Sequence, residues 1–334
     1  MTGDLPQPFA EMSLEKVDMM RVPGIVLITV VFGVVGLAGV HWAVASELDW
    51  GKVPDGWRWI AHFDVDQIRE SKVAATLFSE SWNKHPERDK IEAIAKVAGL
   101  DLTKDLHGVT FLGTRFDPRF GALIIHCNMN PDLLIALISG EPTYKKRDAK
   151  GVVLHQWIDR SDNSEITGCF LDQNHLVLGK DANTVEAIIE RSQQSSPQAT
   201  IDFYQVRTGT YFQIHANSVQ ELSVPFMSPL LRRSRRLTAV LGEQSGQVFV
   251  QSSFEVEGAD IALDLKDALT GLVAIGKLHY ADQPEYVAAL THIRVFASEN
   301  RTTLVWTMPT EPALKLFREV FSQVIDKGER IGIR

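Results

Sequence analysis

The sequence predicts an α+β fold: internally duplicated antiparallel sheet units with helices on one face, preceded by one N-terminal apolar helix. Three observations predict it. Short runs alternate apolar and polar residues between turn residues, the pattern of half-buried strands. Amphipathic stretches at helical spacing lie between those runs. The order of runs and stretches then starts again in the second half of the chain.

With 334 residues, 45% hydrophobic and 23% charged, the chain is long enough for a sizeable core in one or two domains. Its formal net charge of -8 argues against general nucleic-acid binding, which needs a basic surface to displace counterions. No nucleic-acid partner is therefore expected.

Residues 1–21 form a polar tail, and residues 22–45 a transmembrane anchor or a signal peptide. Val22 to Val40, "VPGIVLITVVFGVVGLAGV", carries no charge and is about long enough to cross a bilayer as a helix. Ala43 and Ala45 make the small-residue pattern that a signal peptidase cuts. A leader is cleaved near Ala45; an anchor stays and makes the membrane a partner. The acidic stretch "MTGDLPQPFAEMSLEKVD" is long for a leader, and a start at Met19 or Met20 would shorten it. Either reading places residues 46 onward outside the cytoplasm, anchored on the periplasmic side or free in the periplasm or beyond. No cysteine follows the apolar run, which excludes a lipoprotein leader.

The first α+β unit is expected over 46–190. "WRWIAHFDV" alternates, with Trp59, Ala61, Phe63 and Val65 on one face and Arg58, Ile60, His62 and Asp64 on the other. "DQIRESKVAATLFSE" reads as one helix opening at Asp66, and "RDKIEAIAKVAG" as a second that stops at Gly99. "HGVTFLG" and "GALIIHCN" are strands. "NPDLLIALISG" is a punctuated helix, with Asn130 as cap and Pro131 in its first turn. The strands "GVVLHQWI", "ITGCFL" and "HLVLG" follow, and then the helix "DANTVEAIIERS".

A polar linker is expected over 191–205, a second unit over 206–326 and a tail over 327–334. "GTYFQIHANSVQEL" gives a strand and a short helix. "RLTAVLG" and "GQVFVQSSFEV" are strands, and "GADIALDLKDALTGLVAIG" is a long helix. "LTHIRVFAS" and "TTLVWTMP" form a hairpin, and "TEPALKLFREVFSQVI" closes as an amphipathic helix. Each half thus has a strand-helix start, two strands and a helix, then a hairpin and a helix. Units of the ferredoxin-like kind are the nearest general pattern.

The stretches "WRWIAHFDVDQIRES", "GLDLTKDLHGVTFLG", "VVLHQW" and "CFLDQNHLVLGKDANTVEAIIE" resemble a group of exported α+β repeat proteins of planctomycete-type bacteria. The resemblance spans most of residues 50–325. That group has no established activity, so the resemblance implies export and duplication and no chemistry.

"HFDVD" raises the one chemical question. His62 and Asp64 share one side of a strand with Asp66, a geometry that could ligate a metal or do acid–base work. The second half offers a control. Setting Ile68 on Val219 aligns "HFDVD" with "QIHAN", so that Asp66 matches Asn217 while His62 and Asp64 match Gln213 and His215. What the copies share is a residue able to cap a helix. The expectation is that Asp66 caps and that His62 and Asp64 bind no metal.

The remaining candidates are weaker still. Cys127 and Cys169, the chain's 2 cysteines, are candidates for a disulfide if exported and equally for buried small side chains. Arg232, Arg233, Arg235 and Arg236 form the one dense basic run, a candidate anion site that reads more readily as a solvated connection between helix and strand. His126 and His155 lack zinc-site spacing. No nucleophile elbow, phosphate loop or dinucleotide fingerprint is present, so no cofactor is expected. Two functions follow. One is a non-enzymatic envelope protein, exported or membrane-anchored, with a binding or structural role toward an unidentified envelope partner. The alternative is a cell-envelope enzyme, a metal-dependent or acid–base hydrolase using His62 and Asp64.

Overall fold

The computed structural model describes residues 47–85, 88–159, 163–194, 206–217, 219 and 231–331. The apolar run Val22 to Val40, the Ala43–Ala45 pattern and most of the expected linker lie outside those residues, as does nearly all of the short helix expected after Asn217. Among the described residues no helix is long and apolar enough to cross a membrane.

The first half runs β1 (Trp59–Asp64), α1 (Val65–Glu70), α2 (Lys72–Trp82), α3 (Arg88–Val97), α4 (Leu102–Asp105), β2 (Leu106–Gly113) and β3 (Gly121–Cys127). It continues with α5 (Pro131–Ile138), β4 (Lys145–Ala149), β5 (Val152–Ile158), β6 (Glu165–Phe170), β7 (His175–Gly179) and α6 (Ala182–Ser192). The second half runs β8 (Thr210–Asn217), β9 (Ser234–Gln244), β10 (Gln247–Val256) and α7 (Ala259–His279). It ends with α8 (Pro284–Thr291), β11 (Ile293–Ser298), β12 (Arg301–Pro309) and α9 (Thr310–Ile331), which carries helix past position 326.

The strands form one 12-stranded sheet, in the order β11-β12-β10-β9-β8-β1-β2-β3-β7-β6-β5-β4, and each neighbouring pair is antiparallel. From the centre outward, β1-β2-β3-β7-β6 on one side matches β8-β9-β10-β12-β11 on the other. The first half adds the β4–β5 hairpin beyond β6. The repeated order of elements in the sequence is therefore a repeated strand order in space, joined through the β1–β8 pair.

Alternation along the strands divides the core in two. Ile60, Leu112, Ile124, Val177 and Cys169 face one way and pack on Val185, Ile188 and Ile189 of α6. Ala61, Phe63, Val109 and Cys127 face the other way and pack on Ile68 of α1 and Ala74 and Phe78 of α2. The second half continues that helical face: Val248, Trp306 and Met308 pack on α9 through Ala313 and Leu314, and on Ala289 of α8. Ile261, Ala262 and Leu265 of α7 close its outer end against Val256. The helices thus gather on one face, except that α6 crosses to the other. Gly179 admits it there, because a Cβ at that position would lie 2.9 Å from Val185 Cγ2.

Two local departures from the sequence reading have clear causes. The helix expected from Asp66 through Glu80 is broken at Ser71, whose backbone is extended at ψ 124. Ser71 Oγ accepts the Ala74 N–H at 3.0 Å, starting α2 afresh, and donates to Glu243 Oε2 at 2.6 Å. The helix start also lies earlier than expected: Asp64, with φ -83 and ψ 98, is the cap of α1, and its Oδ1 accepts the Gln67 N–H at 2.9 Å.

Candidate functional site

The pairing register builds the site. Asp64 of β1 pairs with Gly108 of β2, Gly108 with His126 of β3, and His126 with His175 of β7. One rung of the sheet therefore carries three polar side chains on the face that α6 covers. Gly108 contributes no side chain between Asp64 and His126, and it lines a small cleft there with His62, Thr110, Ile124, His126 and His175. Glu47, Leu48, Asp49 and Lys52, leading into β1, close it from above. About 30 Å³ of the cleft admits a water-sized sphere, room for a water or two rather than an organic substrate.

Several polar groups in and beside the cleft have protein partners. His62 Nδ1 lies 2.8 Å from Thr110 Oγ1, and His62 is buried, not on a solvated face. The His126 and His175 rings stack, with centroids 4.5 Å apart and planes 14° from parallel. His175 Nδ1 is 2.8 Å from both Asp172 oxygens. His107, at the irregular start of β2, has its ring centroid 5.2 Å from that of His126. Its Nδ1 is 3.1 Å from Asp66 Oδ2, and the Asn128 amide donates to its Nε2 at 2.9 Å. A carboxylate only accepts, so His107 Nδ1 donates to Asp66. Asn174 donates in turn to Asn128 Oδ1 at 2.8 Å.

Asp66, expected to be the cap, has a different role. It is 3% exposed and forms an ion pair with the Arg69 guanidinium, whose other nitrogen donates to the Leu106 carbonyl at 2.5 Å. Arg69, Asp66, His107, Asn128 and Asn174 are thus one hydrogen-bonded chain running from α1 to the β6–β7 turn.

Burial sets the charge state. It pulls His126 down from the ordinary 6.5 to about 4, helped by positive charge at His175, His107 and Lys52. His215 on β8 falls to about 3, first through burial and then through His62. Its Nε2 donates to Gln213 Oε1 at 2.8 Å, its Nδ1 lies 3.2 Å from Thr238 Oγ1, and the Trp50 ring meets it edge-on at 5.2 Å. Both imidazoles are neutral near pH 7.

The other sequence candidates are dispersed. Cys127 and Cys169 are free and buried, so the disulfide left open by the sequence does not form. The reason is parity: Cys169 pairs with Val177 and Val177 with Ile124, while Cys127 lies an odd number of residues from Ile124 and points to the opposite face. Burial pushes both thiols up to about 12. In the basic run, Arg236 is ion-paired with Glu255, and Arg233 lies 3.8 Å from Glu257. Arg232 and Arg235 are exposed. Among the described residues no group of three or more His, Cys, Asp or Glu side chains is placed to hold a metal ion.

Sequence reasoning missed His107 and His175. The usable signal for His175 was a histidine two residues from an apolar strand residue on the same face, as at His62 beside Ile60, His126 beside Ile124 and His175 beside Val177.

No protein-family model matches the chain, and no curated protein sequence matches it. Solved structures of the Treponema protein TP0453 are similar in fold. Its crystal form III gives a TM-score of 0.45 at 10% identity, over 81% of this chain and 98% of that one. Crystal form IV gives 0.42 at 10% identity, over 82% and 97%. At those values the likeness carries nothing about function.

Proposed function

We propose that the chain is an exported envelope protein with a binding or structural role and no catalysis. It is held at the membrane by the apolar run Val22 to Val40 or released by cleavage after Ala45. The observation that supports the non-catalytic part is the engagement of the polar groups beside the cleft. Asp64 holds the N-terminus of α1, Asp66 holds Arg69, and both ring nitrogens of His107 are bonded. An acid–base catalyst needs a titrating group aimed at a substrate. Here these groups fasten strands to a helix around space for a water or two.

Export rests on the length and apolarity of Val22 to Val40 and on the small residues after it. Fractionation of cells expressing the full chain, with N-terminal sequencing, tests it. The expected result is membrane-bound chain with its first residues intact, or soluble exported chain beginning at Ser46. Intact chain in the cytosol would overturn the reading. On the same material, hydrolase activity lost in both His62→Ala and Asp64→Ala would replace it with the catalytic alternative.

A further inference from the structure

The two ends of the sheet are chemically unlike. β4 reads Lys145-Lys146-Arg147-Asp148-Ala149 and is exposed along most of its length. Charge, lysine above all, is how an edge strand avoids pairing with another chain. β11, at the other end, reads Ile293-Arg294-Val295-Phe296-Ala297-Ser298, and Phe296 is 49% exposed.

The β11–β12 hairpin fixes which backbone groups face outward. Ser298 pairs with Arg301 across the turn Glu299-Asn300, and Glu299 has φ 51. In such a tight hairpin the pair flanking the turn exchanges backbone hydrogen bonds, and so does every second pair after it. Ser298, Phe296 and Arg294 therefore direct their amides and carbonyls to β12. Ile293, Val295 and Ala297 direct theirs away from it. Among the described residues no backbone hydrogen bond is made on that outer side.

We propose that this edge pairs, antiparallel, with the same edge of a second copy of the chain, about a two-fold axis at Val295. In that register Val295 meets Val295 of the second copy and Ile293 meets its Ala297, so outward amides meet outward carbonyls. On the open face Arg294 comes to lie beside Phe296 of the second copy, a cation against an aromatic ring. No like charges are opposed. On the helical face α7 packs against Ala297 of β11, so the two α7 helices become neighbours on one continuous sheet. Leu272, Ile275 and Leu278 of α7 are exposed apolar side chains, 62%, 62% and 79%.

The test measures the mass of the full-length chain in mild detergent at micromolar concentration. Val295→Pro removes an outward amide that the sheet itself does not use, a change that edge strands tolerate. Phe296→Arg sets arginine against Arg294 across the axis and alters only an exposed side chain. Lys146→Pro makes the matching change on the β4 edge. The native chain and Lys146→Pro should be dimers, and both β11 variants should dissociate about tenfold more readily or worse. A monomeric native chain overturns the proposal. So does a dissociation constant unchanged in Phe296→Arg, which reports even if Val295→Pro fails to fold, and so does loss of the dimer in Lys146→Pro.

Discussion

His62 and Gln213 are direct partners across the β1–β8 junction, and they are also the residues that the two halves set in equivalent places. Aligned residues that pair with each other mark where a two-fold axis relating the strands of the halves passes. The duplication therefore has a consequence for the polar groups. Asp64 and His215, equivalent in the alignment, fall on opposite sides of that axis. They extend one polar strip over both halves, with His126 and His175 continuing it.

The exchange of roles between Asp64 and Asp66 gives the first prediction. Asp64→Asn should be nearly neutral and Asp64→Ala should cost about 1 kcal/mol, the usual effect of losing a helix cap. Asp66→Ala should be worse, about 3 kcal/mol or more, because it leaves the buried Arg69 guanidinium without its counter-charge. Denaturant midpoints of the purified chain report both. Equal losses at the two positions would contradict the assignment.

That exchange also shows what the sequence could and could not reveal. The alternation of "WRWIAHFDV" placed the strand and its two faces correctly. Two aspartates that both suit a helix start follow it, and nothing local chooses between them. The choice is made by pairing to Gly108, which keeps Asp64 extended, and by Arg69, which takes Asp66. The strand β4 escaped notice because "KKRDA" has no apolar alternation, as suits an exposed edge. The histidine cluster was invisible for a different reason: register across β1, β2, β3 and β7 assembles it, and no spacing along the chain encodes that.

Acid should destabilise the fold. His126 is held near 4 and His215 near 3, against 6.5 for the free side chain. Below that ordinary value the unfolded chain binds protons that the folded one refuses. Stability from these two neutral imidazoles is therefore fully present above about pH 6.5 and is lost progressively as pH falls toward the folded values. Thermal midpoints measured from about pH 7 down to about pH 4.5 should fall, and His126→Gln should flatten the slope. Parallel slopes in native and variant chains would count against it.

Both thiols should be inert in the folded chain. Cys127 is 2% exposed and Cys169 is 0% exposed, and burial holds each near 12, so thiolate is scarce. A thiol reagent added to native protein should label neither, and after unfolding it should label both without prior reduction. Labelling that requires a reductant would mean the bridge forms after all.

Glu243 ties helices from both halves to β9. Its Oε2 accepts from Ser71 Oγ at 2.6 Å and from the Val73 N–H at 3.0 Å, and its Oε1 accepts from Thr310 Oγ1 at 2.8 Å. Glu243→Ala should cost about 3 kcal/mol, since bonds to a charged acceptor are the stronger ones. Glu243→Gln should recover part of it. Calorimetry distinguishes this from a surface change, which would leave the midpoint unmoved.

Location of the folded body relative to the membrane decides the central claim. Two reporters fused in turn after Arg334 of the full chain measure it: a phosphatase active only outside the cytoplasm and a fluorescent protein that folds only within it. The account predicts active phosphatase and no fluorescence. Bright fluorescence with inactive phosphatase would contradict it.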